Sequence, residues 1–139
     1  MDVLDLGFRG YEATLALQEE LVARRKLDAI PDTLVLVEHE PVYTLGRNAS
    51  DANILATAAD LELRGIKVFK TGRGGDVTFH GPGQLVGYPI INLVARGRGV
   101  VWYVQRLEEL LIGALADLGV KGGTDSINHG VWMGRDKIA

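Results

Sequence analysis

TGRGGDVTFHGPGQLVGYPI, residues 71–90, places six glycines between two apolar runs and sets Arg73, Asp76 and His80 among them. Glycine takes positive φ without strain and lets a ligand approach the main chain closely, so a loop of this kind shapes either a set of tight turns or a binding surface. HGPGQ is ordinary turn chemistry. The arginine and histidine favour the second reading: one offers a rigid fork of donors, the other exchanges a proton near neutral pH, and both suit a polar substrate head. The two are expected to organise that head while contributing little to stability. No dinucleotide fingerprint is present, because after Gly72 and Gly74 the third glycine would fall at Val77, and no GxxxxGK follows.

Outward from this stretch, IKVFK from Ile66 reads as the strand that enters it and LVGYPIINL, residues 85–93, as the strand that leaves. Upstream, YEATLALQEELVARRK, residues 11–26, carries Ala13, Leu17 and Leu21 on one helical face. The β-branched run from Thr33 to Val37 predicts a strand, Pro41 interrupts pairing, and VYTL makes a second strand. ATAADLELRG predicts a short helix stopped at Gly65. Residues 100–118 predict a longer helix, with Val100, Val104, Leu107, Leu111, Leu115 and Leu118 in a stripe expected to lie on a sheet, and Gly119 as its stop. HGVWMGRDKIA has the form of a β-hairpin around Gly134, Arg135 and Asp136, its second arm cut short by the end of the chain. Strands and helices interleave, but several joins are too short for parallel crossovers. The expected fold is α/β (α+β), a mixed sheet with packed helices.

The chain has 139 residues, 47% hydrophobic and 24% charged, the proportions of one globular domain that buries about 70% of its unfolded surface without metal or disulfide. It contains no cysteine, which excludes disulfides and thiolate metal sites. A formal net charge of −3 argues against a general nucleic-acid binder. The acidic N-terminus lacks the character of a secretory signal, and no run has the length of a membrane span; a cytoplasmic protein without membrane or nucleic-acid partners is expected. His39, His80 and His129 share no helical ligand spacing, so no metal is expected, and His39, at the end of an apolar strand, reads first as a satisfied structural histidine. Arg64, Lys67, Lys70 and Arg73 recur every third residue; a docking patch for an acidic partner and a solvated edge fit that spacing equally, since a strand sends Lys67 and Lys70 to opposite faces.

RGGDVTFHGPGQLVGYPIINL resembles the signature of the lipoyl(octanoyl) transferases, the octanoyl-acyl carrier protein:protein N-octanoyltransferases of lipoate biosynthesis. LVEHEPVYTLGR upstream and GVWMGRDKIA at the end stand in the family's order, so the resemblance runs along the whole chain, residues 1–139, read as a single catalytic domain that is C-terminally incomplete. The part of the family that follows, with a histidine-glycine segment and the nucleophilic cysteine, has no counterpart here. The resemblance implies the fold of the biotin and lipoate protein ligase catalytic domain and an acyl transfer in two steps, from octanoyl-acyl carrier protein to an enzyme cysteine and then to a lysine amine. The implied acceptors are the lipoyl domains of 2-oxoacid dehydrogenase E2 subunits and the glycine cleavage H protein. No cofactor is implied beyond the phosphopantetheine thioester of the donor, and the complete protein would be a monomer. Position by position, Arg73, Gly74, Gly75, Asp76, Val77, Thr78, Phe79 and His80 fall on the substrate-binding segment that lines the acyl tunnel, and Lys137 falls on the lysine that activates the cysteine. Taken without the family, Lys137 is an ordinary solvated hairpin lysine. Asn128 and His129 stand where the family usually carries a proline. Two other functions fit the residues: an ATP-using lipoate or biotin ligase, which shares the implied fold, and a non-catalytic acyl-binding protein, which needs no cysteine. The 139 residues alone are expected to be inactive.

Overall fold

The computed structural model describes residues 1–125 and 129–139, so Asn128 lies outside the described residues, and it comprises two compact units, residues 1–91 and 92–139. In the first, β1 (Asp2–Arg9) and β2 (Thr33–His39) are parallel, with α1 (Tyr11–Lys26) as the crossover helix that parallel pairing demands. Arg25 closes the return by donating to Asp32 at 2.8 Å. β6 (Leu85–Ile90) runs antiparallel on the other side of β2, giving the order β1-β2-β6. The period-two pattern of β2 puts Thr33, Val35, Val37 and His39 on one buried face. There Val35 meets Leu21 and Ile90, with Leu6, Leu17, Ile30 and Tyr88 around them.

The helix turns its face slightly from the expected one. Thr14 is fully buried and Ala13 exposed, because the inward stripe runs Tyr11, Thr14, Leu21; the Thr14 hydroxyl donates to the Gly10 carbonyl at 3.0 Å and so tolerates burial.

A second sheet has β3 (Val42–Leu45) between parallel β4 (Lys67–Lys70) and antiparallel β5 (Val77–His80), order β4-β3-β5. The crossover from β3 to β4 passes through a single 3-10 turn and α2 (Ala58–Leu63), whose start is fixed by a capping box between Thr57 and Asp60. Both sheets are joined by the chain at the same end: Glu40 and Pro41 lead from β2 to β3, and the Gly81–Gln84 turn leads from β5 to β6. That turn is held to β2 by its Gly83 N–H, which donates to Glu38 at 2.9 Å.

The second unit holds α3 (Val100–Asp117) and the antiparallel sheet β7-β8-β9, made of Gly123–Thr124, Val131–Met133 and Asp136–Lys137. The expected hairpin is β8 and β9 around Gly134 and Arg135, with Asp136 already paired to Met133. Ile112 and Leu115 of α3 meet buried Val131 beside Gly122. Of the expected stripe, Val100, Leu111 and Leu118 remain exposed.

The α/β class therefore holds, with the strands among the described residues divided among three small sheets, two of them mixed. Among the described residues no helix is long and apolar enough to cross a membrane. Since Leu21 anchors the buried cluster under α1, Leu21→Ala should lower the urea midpoint by the equivalent of about 2–5 kcal/mol with an unchanged slope.

Candidate active site

Arg73 is turned into the protein. Its Nε and Nη2 donate to the Thr44 hydroxyl at 3.2 and 2.9 Å, Nη2 also to the Thr44 carbonyl at 2.6 Å and the Asp76 carbonyl at 2.8 Å, and Nη1 to the Gly74 carbonyl at 2.9 Å. The main chain repeats the tie. Gly46, Arg47 and Asn48 donate N–H groups to the carbonyls of Asp76, Arg73 and Gly75, and Thr71 donates to Leu45. This lacing is close enough to require glycine at position 46, where a Cβ would lie 2.4 Å from the Gly75 oxygen and 2.7 Å from that of Gly74. The Asp76 carboxylate is held in turn by the Asn53 amide at 2.6 Å. The expectation that Arg73 contributes little to stability is therefore corrected: its guanidinium shapes the loop.

Behind the loop, where the two sheets meet, lies a cluster of rings. His39 is fully buried, with ring centroids of Tyr11, His80 and Tyr88 at 5.4, 5.7 and 5.9 Å, and Phe69 packs on Tyr11 at 5.2 Å. Its Nδ1 lies 3.0 Å from the Arg9 carbonyl and its Nε2 2.9 Å from the Tyr88 hydroxyl. A carbonyl only accepts, so Nδ1 carries the proton. Burial, with a smaller contribution from the charge of His80, holds His39 below the usual histidine range and outweighs the Arg9 bond; the ring is neutral and Nε2 accepts from Tyr88. Tyr88 keeps its proton, since burial first and Tyr11 second push it up to about 12 against the opposing charge of Arg73. Burial also raises Tyr11, again opposed by Arg73. His39 is thus the doubly satisfied structural histidine that its strand position suggests.

His80, half-buried, donates from Nδ1 to the Gln84 side chain at 2.6 Å. This leaves Nε2 without a hydrogen-bond partner among the described residues. The strand pairing divides the rest of the segment. Thr78 and His80 lie opposite Thr44 and Val42, while Val77 and Phe79 lie opposite Leu45 and Tyr43, with the Phe79 and Tyr43 rings 5.1 Å apart on the other face. Tyr11, Phe69 and Tyr88 were not singled out by sequence; Tyr88 had a signal, since it pairs with Val35 on an alternating buried face. A cavity of about 220 Å³ lies on the outer side of Tyr11 and Phe69, lined also by Glu12, Glu40 and Lys67, and takes in none of residues 73–80. The basic series does not share one surface: Lys67 borders that cavity, Lys70 pairs with Asp51 at 3.6 Å, and Arg73 points inward.

In the second unit Lys137 pairs across the hairpin with Trp132, its Nζ 5.7 Å from the ring centroid. The end of its side chain lies over Gly130, which has φ +128°; a Cβ there would meet the Ala139 carbonyl oxygen at 2.3 Å, Lys137 Cε at 2.5 Å and Nζ at 3.0 Å. The positive φ and the nearby Ala139 carbonyl call for glycine here. Lys137 itself is exposed. His129, also in this unit, lies 3.3 Å by Nδ1 from Glu108.

Residues 10–139 match the lipoyl protein ligase A/B catalytic domain, and the chain belongs to that family. It is similar to the octanoyltransferase of Syntrophobacter fumaroxidans, 49% identical over 99% of this chain and 60% of that protein. It is also similar to the octanoyltransferase of Alkaliphilus metalliredigens, 48% identical over 100% of this chain and 64% of that protein. The chain thus spans between 60% and 64% of the length of these two relatives. In fold it resembles a T. acidophilum protein solved with bound lipoic acid, with a TM-score of 0.67 at 13% identity, covering 98% of this chain and 59% of the other. A P. falciparum protein in complex with lipoate gives a TM-score of 0.61 at 14% identity over 97% of this chain and 42% of its own.

Two outcomes follow from this geometry. Gly46→Ala forces the loop carbonyls away and should cost about 1–3 kcal/mol in thermal or urea denaturation, with Gly74 and Gly75 amide shifts moving most. His39 is lowered in the folded state, so the unfolded chain binds the proton more readily; its contribution is complete above the usual histidine pKa of about 6.5 and is lost as pH falls from there toward the folded value. Denaturation midpoints measured from pH 7.5 to 5 should decline, and His39→Gln should flatten that part of the profile.

Proposed function

We propose that these 139 residues form the substrate-binding core of an octanoyltransferase, a single catalytic domain that moves an octanoyl group from octanoyl-acyl carrier protein to a lysine of lipoyl domains. The observation that carries this reading is the 49% identity, along 99% of the chain, to a protein named octanoyltransferase. The acceptors would be lipoyl domains of 2-oxoacid dehydrogenase E2 subunits and the glycine cleavage H protein. One structural relative supports that class of acceptor: it comes from an archaeal lipoylation system of Thermoplasma acidophilum, a bi-partite lipoate protein ligase and its E2 lipoyl domain.

In the first step a cysteine thiolate attacks the thioester carbonyl, the acyl–sulfur bond to the phosphopantetheine breaks, and that sulfur leaves and takes a proton. In the second the acceptor amine attacks the acyl-cysteine, an amide forms, the amine loses a proton, and the enzyme thiol is restored. The chain contains no cysteine, so the nucleophile is supplied from outside the 139 residues. Lys137 serves it: an adjacent ammonium favours the thiolate and lowers a pKa of about 8.5 toward neutrality. Residues 73–80 bind the donor, Arg73 by holding the glycine-rich loop in place, and His80 by offering Nε2 to the acyl donor's polar head. No cofactor takes part.

The test uses a version extended to the length of the relatives, with octanoyl-acyl carrier protein and a lipoyl domain, read by intact mass. Octanoylated lipoyl domain should form without ATP; a strict ATP requirement would instead indicate a ligase. Lys137→Ala should raise the iodoacetamide reactivity midpoint of the cysteine and cut turnover by roughly 10²–10⁴-fold. The 139 residues alone should acquire no octanoyl adduct, and an adduct there would contradict the need for a thiol.

A further inference from the structure

Glu108 is the buried residue of α3, its side chain 11% exposed, in a helix whose apolar residues are mostly half-buried or exposed. A carboxylate in that place is costly unless its oxygens are bonded. The compensation comes from one short segment: the Gly130 N–H donates to Oε1 at 2.8 Å, and Nδ1 of His129, itself 75% exposed, lies 3.3 Å from the same oxygen.

Gly130 is the residue over which Lys137 passes. With no side chain and a positive φ, its backbone has the wide conformational freedom of glycine and needs holding from outside. On its C-terminal side the hairpin holds it, with Val131 N–H donating to the Ala139 carbonyl at 2.8 Å and Ile138 N–H to the Val131 carbonyl at 2.8 Å. On its N-terminal side the bond to Glu108 does so.

We propose that Glu108 is a positioning residue for Lys137: by accepting the Gly130 N–H it fixes the glycine surface on which the lysine stem lies, and so sets the direction of the ammonium beside Trp132. Glu108 touches no reacting atom; it acts through Gly130. Its importance to catalysis rests on the reading of Lys137 as the thiol-activating lysine, whereas its control of the lysine's course does not.

The experiment therefore reads the lysine and not turnover. Lysines of the 139-residue chain are dimethylated with carbon-13, which retains their charge, and the Lys137 methyl signal is assigned with Lys137→Arg. Stacking near Trp132 gives that signal an upfield ring-current shift, removed by Trp132→Leu. Glu108→Met replaces the carboxylate with an apolar chain of similar length, a kind of exchange that folded proteins often tolerate, and should abolish the shift. Glu108→Gln keeps an acceptor oxygen in place and should preserve it. Glu108→Asp, which withdraws the oxygens by one methylene, gives a second test should the methionine variant fold poorly, and it too should lose the shift. A shift absent from the wild type, kept in Glu108→Met or Glu108→Asp, or lost in Glu108→Gln overturns the proposal. A purely structural Glu108 would lower the melting temperature of these variants and leave the Lys137 signal of the folded protein where it was.

Discussion

The Arg73 guanidinium bonds at once to the Thr44 carbonyl, the Thr44 hydroxyl and the carbonyls of Gly74 and Asp76, which binds the glycine-rich loop to the middle strand of its sheet. Hydrogen bonds from a charged donor are worth about 1.5–3 kcal/mol each, and they offset the entropy of ordering a loop that has no apolar side chain to bury from Thr71 to Asp76. The loop's carbonyls are turned inward onto Arg73 and onto the amides of residues 46–48. Replacing the fork with a lysine would leave one point charge to serve acceptors in several directions.

The charge of Arg73 also reaches the ring cluster, where it opposes the upward shift of both Tyr11 and Tyr88. That cluster exists because the chain passes between the two sheets twice at the same end. His39 closes β2 just before Glu40 and Pro41, and His80 closes β5 just before the Gly81–Gln84 turn, so the two histidines meet although 41 residues apart in number. Their environments then separate their roles. His39 is committed at both nitrogens and is a neutral pillar; His80 is committed at one, with no partner on Nε2 among the described residues. In the second unit Glu108 accepts the Gly130 N–H, and the end of the Lys137 side chain lies beside that glycine.

Much of this was legible where local pattern decides the outcome. The bounds of α1 follow from periodicity, β2 from its β-branched and apolar run, and the satisfied state of His39 from its place at the end of an apolar strand. β1 was not legible, because its aspartates and Gly7 break the alternation and because it is an exposed strand made regular only by pairing with β2. β5 was hidden for a related reason: four residues amid glycines form a strand only when Val42–Leu45 pairs with them, 35 residues away in number. Arg73 was recognised by type, but its inward course was not legible, since its main partner, Thr44, is distant in sequence and carries no local mark. Lys137 had significance only through the family, and its nearness to Gly130 is a three-dimensional fact.

The account depends most on the loop being held by Arg73, and amide hydrogen exchange tests that directly. In Arg73→Lys, protection should fall together at Gly46, Arg47, Asn48 and Thr71, the amides that lace the loop to β3, while Val35 and Val37 in the first sheet stay protected. Unchanged protection at those four amides, or a loss spread evenly over both sheets, would contradict it.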